Sequence, residues 1–390
     1  MSQINIRNLC NENEDGAPTI VGVSTFSATS YMCPPKGTTA QRPENPVSGS
    51  LRFNTDTASL EYYKGDTLNW TQIEMTSTEP LGGGTGSNAG TGHRGLYGSG
   101  QVAPSTGTYT NAIDFLTIST LGNAQDFGDL AQNRSGRGFL SSTTRAVIGS
   151  GYGPADDIEY VTIASTGNAL AFGLELGDSD GRTSLADSVR GVFAGKIYPN
   201  VENTISYITI ATTGNAVDYG DLVHSRSNGA AFASSTRGII AGGSVGETEY
   251  NNIDYITIRT TGNSIDFGDL NYTSTNTAGG GSNSTRGIAF GGTDAPGYST
   301  VNNISYLTIA TLGNAIDFGD ATSKCKGGAG CPDPTRLVMK LGGGDGSGQT
   351  TNIINYVQIS TTGNAIDFGD SVLQNYSANR GSCSTGHGGL

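Results

Sequence analysis

The stretch "NNIDYITIRTTGNSIDFGDL", residues 251–270, carries Ile253, Tyr255, Ile256 and Ile258 among polar residues, then Gly262-Asn263, then a second apolar run. Alternation at a period of two marks a β-strand with one face buried. Gly-Asn supplies the positive φ angles of a tight hairpin turn, so the two runs read as antiparallel neighbours joined by that turn. The same words return as "NTISYITIATTGNAVDYGDL" from Asn203, "NNISYLTIATLGNAIDFGDA" from Asn302 and "TNIINYVQISTTGNAIDFGDS" from Thr351. Aligned on the turn glycine (Gly122, Gly167, Gly214, Gly262, Gly313, Gly363), the copies are 45, 47, 48, 51 and 50 residues apart. A chain that repeats itself at this period is a repeat array in which no unit buries its apolar face alone.

Two more strands precede each copy. In the fourth unit they are "NGAAFAS" (228–234) and "TRGIIAGG" (236–243). No segment longer than a turn shows helical spacing, which excludes a helical solenoid. Four antiparallel strands per unit and six units predict an all-β chain: a six-bladed β-propeller over residues 81–390, preceded by a small β-module over 1–80. Seven blades is the alternative if the Gly-rich stretch 82–92 and the C-terminal tail build more than this. "SVLQNYSANRGSCSTGHGGL" after the sixth copy lines up with a surplus first strand, which would close the ring by pairing with the first unit.

Each unit resembles a Kelch-type blade. The residues that carry the resemblance are the second-strand glycine pairs Gly242-Gly243, Gly291-Gly292 and Gly342-Gly343 and two series of aromatics. The third strands carry Phe115, Tyr160, Tyr207, Tyr255, Tyr306 and Tyr356; the fourth carry Phe127, Phe172, Tyr219, Phe267, Phe318 and Phe368. The chain departs from that family in having no Trp in the repeats and no glycine pair in units one to three.

The 390 residues include 60 Gly and carry a net charge of −13, with a pI near 4.6. No basic stripe offers itself to a phosphate backbone, so nucleic acid is not an expected partner. No apolar run approaches the roughly 20 residues of a membrane span. The N-terminus lacks a basic segment followed by an apolar one, so it reads as having no secretion signal. Cys10, Cys33, Cys325, Cys331 and Cys383 form no paired framework, as in a protein made in a reducing cytosol.

Polar residues also repeat. Arg94, Arg145, Arg190, Arg237, Arg286 and Arg336 each precede a second strand. Asp129, Asp221, Asp269, Asp320 and Asp370 follow the glycine of the fourth-strand turn, and Asp178 takes that place in unit two. A ring of ligand-binding charge is one reading. The favoured one is structural, because a side chain present in every blade does a blade-level job: aspartates bonding turn amides, arginines bridging to turn carbonyls or a neighbouring Asp. His93, His224 and His387 are too few and scattered for a metal site, and no G-x-S-x-G elbow accompanies a serine. "CKGGAGC" reads as surface thiols on an inter-blade loop, and the glycine runs lack the Lys-Ser/Thr of a phosphate loop. No catalytic residue, cofactor or metal is therefore expected, and the chain reads as a non-enzyme.

The N-terminal region points to a setting. "SGSLRFNTD", "SLEYYKG" and "LNWTQI" read as three strands, and Gly49 to Thr57, Glu61 to Gly65 and Trp70 resemble a small β-module of structural and fibre proteins of tailed bacteriophages. The repeat "YITIATTGNAxDFGDL" also resembles repeats in structural proteins of marine bacteriophages. These resemblances imply a virion protein assembled in the host cytoplasm. Residues 1–80 would join it to other virion proteins, with an oligomeric state set by the attachment site. The propeller would be displayed for host-surface adhesion or for tail or capsid decoration. A cellular protein-interaction propeller and a propeller glycoside hydrolase are the alternatives. Contact residues for a host glycan or protein are expected on loops that differ between units: Tyr198 in "GKIYPNVEN" (195–203), Tyr250 in "GGSVGETEYNN" (242–252) and Tyr298 in "GGTDAPGYST" (291–300).

Overall fold

A computed structural model describes residues 34–390 apart from 58, 66–68, 73–91, 99, 103–107, 150, 153–155, 179, 198, 247, 275–278, 295–298, 344–350 and 376–380. Its contacts divide the chain into two units, Met1–Thr78 and Glu79–Leu390. The described residues are all β apart from one single-turn 3-10 helix, Thr39–Gln41.

The first unit holds one small sheet. Leu51–Asn54, Ser59–Tyr63 and Trp70–Gln72 pair antiparallel in that order, and Lys36–Gly37 lies parallel to the first of them. The "LRFN…LEYY…W" pattern has a physical cause. Alternation puts Arg52, Asn54 and Glu61 on one face, where Glu61 is fully buried and accepts from Arg52 at 2.6 Å, Arg42 at 2.6 Å and Asn54 at 3.2 Å. Tyr63 and Trp70 pack with ring centroids 5.5 Å apart, and the Arg52 guanidinium lies over the Trp70 ring. The hydrogen bond from Arg42 is the largest influence holding the Glu61 carboxyl below its ordinary range.

Among the described residues the second unit contains six main sheets with four strands each, the fourth carrying a short fifth strand, and a separate two-stranded sheet. From innermost to outermost, the second is Phe139–Ser141, Arg145–Ile148, Asp157–Thr162 and Leu170–Leu174; the third is Thr183–Ala186, Arg190–Lys196, Glu202–Thr209 and Val217–Asp221. The fourth is Ala230–Ala233, Arg237–Ala241, Thr248–Thr257 and Ile265–Ser274, and the fifth is Gly279–Ser282, Arg286–Phe290, Asn303–Thr308 and Ile316–Asp320. The sixth is Ala329–Pro332, Arg336–Lys340, Thr351–Gln358 and Ile366–Asn375. The first sheet takes its innermost strand, Gly381–Ser384, from the C-terminal end, and continues with Arg94–Gly98, Ala112–Thr117 and Gln125–Asp129. Each innermost strand touches the next, and the cycle closes from Gly381–Ser384 back to Phe139–Ser141. This is a propeller-like ring sealed by the surplus strand. Residues 381–390 add no further sheet, and 82–91 lie outside the described residues.

The cores lie between neighbouring sheets. One cluster joins Leu185, Val192, Ile205 and Tyr219 of the third sheet to Ala233, Ile240, Ile256 and Ile258 of the fourth; five others fill the remaining seams. At about 1.5–3 kcal/mol per fully buried large aliphatic side chain, these seams supply the main drive for ring formation.

The third and fourth strands are antiparallel neighbours, but a tight Gly-Asn hairpin does not join them. The link in the fourth sheet is the seven residues 258–264, and no Asn of the repeated turn has a positive φ. Gly122, Gly167, Gly262, Gly313 and Gly363 sit at φ of 145 to 153°, and the link pairs with the preceding sheet's fourth strand. Gly167 N donates to Phe127 O at 2.8 Å, Asp129 N to Asn168 Oδ1 at 3.1 Å, and Ala169 N to Asp129 O at 2.8 Å; the same three bonds recur around the ring to Gly122, Asn123 and Ala124. Two expectations are thereby corrected. The glycine-asparagine pair is an inter-sheet clasp, because its donors and acceptors face the neighbour. Asp178 does not take the Asp129 place in the second sheet; Leu174 does, through its main chain.

The fourth strand is bulged at one residue in every sheet. Ile113 pairs with Gly128 and Asp114 with Asp126, leaving Phe127 as the extra residue; Phe172, Tyr219, Phe267, Phe318 and Phe368 are its counterparts. The bulge turns each ring inward against the third-strand aromatic, centroids 6.0–6.1 Å apart and near perpendicular. The next residue must be glycine. A Cβ at Gly128, Gly268, Gly319 or Gly369 would come within 2.5–2.6 Å of the main chain of the next sheet's clasp glycine. Gly319→Ala should therefore cost about 3 kcal/mol in urea titration, whereas Gly363→Ala, whose Cβ meets nothing within 4 Å, should cost only the backbone strain of about 1 kcal/mol.

The first unit yields its own test because Trp70 is the sole tryptophan. A carboxyl with a lowered folded pKa contributes stability present above its unfolded value near 4.5 and lost as pH falls through the folded value. The midpoint reported by Trp70 fluorescence should therefore fall between pH 6 and pH 3. Glu61→Gln should lower it at pH 6 by the equivalent of about 3 kcal/mol, since Arg52 is left buried without its carboxylate, and should flatten the pH dependence.

Candidate functional site

In an antiparallel sheet the turns between first and second strands and between third and fourth lie at one end of the strands; the second-to-third loops and the links between sheets lie at the other. The ring therefore has two faces of different character.

The first face holds the repeated words and is tied to itself. Each repeated arginine stacks on the third-strand aromatic of its own sheet, 4.1–5.1 Å from guanidinium carbon to ring centroid. Each also donates to a carbonyl of the next sheet: Arg94 to Ile163 O, Arg145 to Ile210 O, Arg190 to Ile258 O, Arg237 to Ile309 O, Arg286 to Ile359 O and Arg336 to Ile118 O. The arginines thus serve turn carbonyls. Asp187, Asn283 and Asp333 cap the turns before them by accepting backbone amides.

The chain after Gly381–Ser384 then crosses the channel end on this face. Gly388 N donates to Ser282 O at 2.8 Å, and the partly buried His387 has Nε2 2.7 Å from Ser141 O and Nδ1 accepting from Gly389 N at 3.2 Å. Burial lowers the His387 pKa, favouring the neutral ring that this donor–acceptor arrangement needs. Gly388 and Gly389 pass so close to the carbonyls of Ala233, Asn283 and Ala186 that neither has room for a side chain.

The second face is open and varied. Around the channel mouth lies a cavity of about 100 Å³ to which all six sheets contribute, walled mainly by glycine main chain such as Gly138, Gly181, Gly229, Gly280, Gly330 and Gly381. A smaller space of about 50 Å³ continues inward to His387. The inner edge of an innermost strand has no ladder partner, so main-chain groups face the lumen. Some carbonyls are already met by neighbours, as Phe139 O is by Ser184 Oγ and Gly330 O by Ser382 Oγ.

The loops on this face differ between sheets. Ser244–Val245 pairs back on Thr248 and Glu249, and Thr293–Asp294 pairs with Ser299–Thr300. Two aromatic pairs stand among them. Tyr109 and Tyr152 have centroids 5.8 Å apart, with Tyr152 half exposed; His224 and Tyr250 stack at 5.4 Å with planes 9° apart, His224 being exposed. Of the three expected contact tyrosines, Tyr250 is brought to this face, but on the extended third strand of the fourth sheet opposite Ser274 and only partly exposed, not on a loop; Tyr198 and Tyr298 lie outside the described residues. Tyr109 and Tyr152 were not singled out by sequence, and His224 was weighed there only as a metal ligand. The signal for Tyr152 was an aromatic in an unrepeated loop, "GSGYGPADD", the same signal that marked Tyr250.

The histidines do not converge: His224 is on the open face, whereas His93 and His387 are on the closed one. Among the described residues no three His, Cys, Asp or Glu side chains are grouped to hold a metal ion. Cys325 and Cys331 are not surface thiols; both are fully buried, Cys331 on the innermost strand of the sixth sheet, and burial pushes the Cys325 thiol up to about 12. No protein-family model matches the chain, and no curated protein matches it.

Asp180, beside the mouth, is buried with Oδ1 unpartnered, and burial raises its pKa to about 6. A carboxyl raised in the folded state contributes stability that is complete below the unfolded value near 3.8 and is lost as pH rises through 6. Ionised Asp180 should then cost about 2–3 kcal/mol. Asp180→Asn should raise the thermal midpoint at pH 7.5 and leave it unchanged at pH 4.

Proposed function

We propose that this chain is a structural protein of a tailed bacteriophage particle that acts by binding rather than catalysis. Residues 1–80 attach it to the virion, and the propeller presents its open face to a glycan or protein of the host surface. The observation that carries the binding role is the division of the ring: one face is repeated, self-bonded and closed, and the other is open, varied and studded with paired aromatics. Loops that a rigid scaffold holds apart, and that do not repeat, are where recognition can be tuned without disturbing the ring. The contact residues in this reading are Tyr152, His224 and Tyr250, with Tyr198 and Tyr298 on their own loops. Aromatic faces backed by a second ring are rigid platforms for a sugar or an apolar side chain.

The virion setting rests on the resemblance of Gly49–Thr57, Glu61–Gly65 and Trp70 to phage modules. Support for it comes from the way the shared residues Arg52, Asn54 and Glu61 form one buried cluster with the partly exposed Trp70 ring against Arg52. Purified particles imaged at high resolution should carry this chain, joined through its first unit to tail or capsid. Particles that lack it would overturn the virion reading and turn attention to a cytosolic partner. Added soluble chain should compete with particles for host cells, and Tyr152→Ala with Tyr250→Ala should weaken competition by about tenfold or more at unchanged thermal midpoint. Competition unaffected by both changes would sink the contact assignment.

A further inference from the structure

The locks described so far are the same at every seam. Any arginine can reach any neighbour's turn carbonyl, and any clasp fits any fourth strand. Nothing in them distinguishes the sixth sheet docking on the first from the fifth docking there with one repeat left out. Yet closure must choose correctly among near-identical surfaces.

One buried position varies among the sheets, with four residue types over the six. It is the residue before the third-strand aromatic: Asp114, Glu159, Ser206, Asp254, Ser305 and Asn355, each at most 4% exposed. Of the three acids there, Glu159 is paired with Arg137 and Asp254 with Arg226. Both arginines lie on the link that leads into the same sheet, so those pairs form whichever sheet is the neighbour. Asp114 differs. Its countercharge is Lys340 Nζ at 2.9 Å, from the second strand of the sixth sheet, with both side chains 1% exposed. The five counterparts of Lys340 are Gly98, Gly149, Ala194, Ala241 and Phe290, none of which carries a charge.

A second feature is confined to the same seam. The Tyr97 hydroxyl donates to Val338 O at 3.0 Å, and Lys340 Nζ lies 5.6 Å from the Tyr97 ring centroid. The counterparts of Tyr97 are Ile148, Phe193, Ile240, Ala289 and Met339, which have no hydroxyl to place. Any other sheet docked on the first would bury Asp114 against glycine or apolar side chains, and the Tyr97 ring would have no cation to lie beside. Burying a charge without its partner is strongly unfavourable, whereas the correct pair roughly breaks even with an apolar one.

We propose that Lys340 and Asp114, assisted by Tyr97, form a closure selector: the ion pair makes the sixth sheet the only one that can complete the ring and so fixes the number of blades. Its contribution is to the choice among closures more than to the stability of the finished ring. The same function has been established for single buried polar groups that set register and copy number in other repeated assemblies.

The test uses the full chain with the paired change Asp114→Leu and Lys340→Met, the exchanged pair Asp114→Lys and Lys340→Asp, and Asp114→Leu alone. Asp114→Leu alone, which strands Lys340, should lower the thermal midpoint by roughly 4 to 8 °C. The double apolar variant should recover that midpoint. It should nevertheless show a second population in hydrogen-exchange mass spectrometry, in which peptides from Leu337 to Gln358 exchange as an undocked repeat, at several times the wild-type share. The exchanged pair should return to one population. A double apolar variant with a single, wild-type exchange envelope would overturn the selector and leave an ordinary buried ion pair. Asp114→Asn with Lys340→Met, a smaller change of shape, carries the same reading if the leucine does not fold.

Discussion

Everything in the ring depends on one close approach, that of a fourth-strand glycine to the clasp glycine of the next sheet. With no side chain on either, two main chains come near enough for three hydrogen bonds to pass between sheets. The bulge that precedes this glycine also turns an aromatic into the seam core. One local irregularity therefore sets the backbone contact and the packing together. No repeat completes its own outer turn; its neighbour supplies the partners, which makes the ring cooperative in the way expected of stacked repeats.

Much of this was legible in the sequence because it is written six times. Period-two alternation located the strands around Tyr255 and Phe267, and the repeat spacing gave the order of sheets and the closing strand. What a single strand pattern cannot express is which neighbour a turn faces. Gly262-Asn263 has the composition of a hairpin, and only the nearness of Tyr219 O and the Asp221 main chain shows that it is a clasp. Asp178 was placed by the letters G-D, whereas register assigns that position to Leu174. The thiols of Cys325 and Cys331 looked loop-borne because glycines surround them, but those glycines are what let the chain run through the interior. The open face was the least legible part. Its aromatics occur once each, and pairings such as Tyr109 with Tyr152 join loops that sequence leaves unrelated.

The division of labour between the faces follows from the same physics. A residue on the self-bonded face answers to two sheets at once, its own and the next, so its identity is constrained six times over. Loops on the other face answer only to their own ends. Sequence can drift there at little cost in stability, and the glycine wall of the channel mouth leaves main-chain groups uncovered. The buried polar position ahead of each aromatic lies between these regimes. It is inside the seams yet free to differ, so it can hold information that the repeat cannot.

The strand Gly381–Ser384 sits beside Arg94–Gly98, made some 285 residues earlier. At roughly 5–20 residues per second of synthesis, the second strand of the first sheet waits some tens of seconds on the ribosome with its inner edge bare. Such an edge is a template for pairing with other nascent chains on the same message. That edge is only five residues long, two of them glycine, and begins with an arginine. A short, glycine-bearing edge is a poor template, so the composition that suits a tightly packed ring also protects the chain while it is still being made.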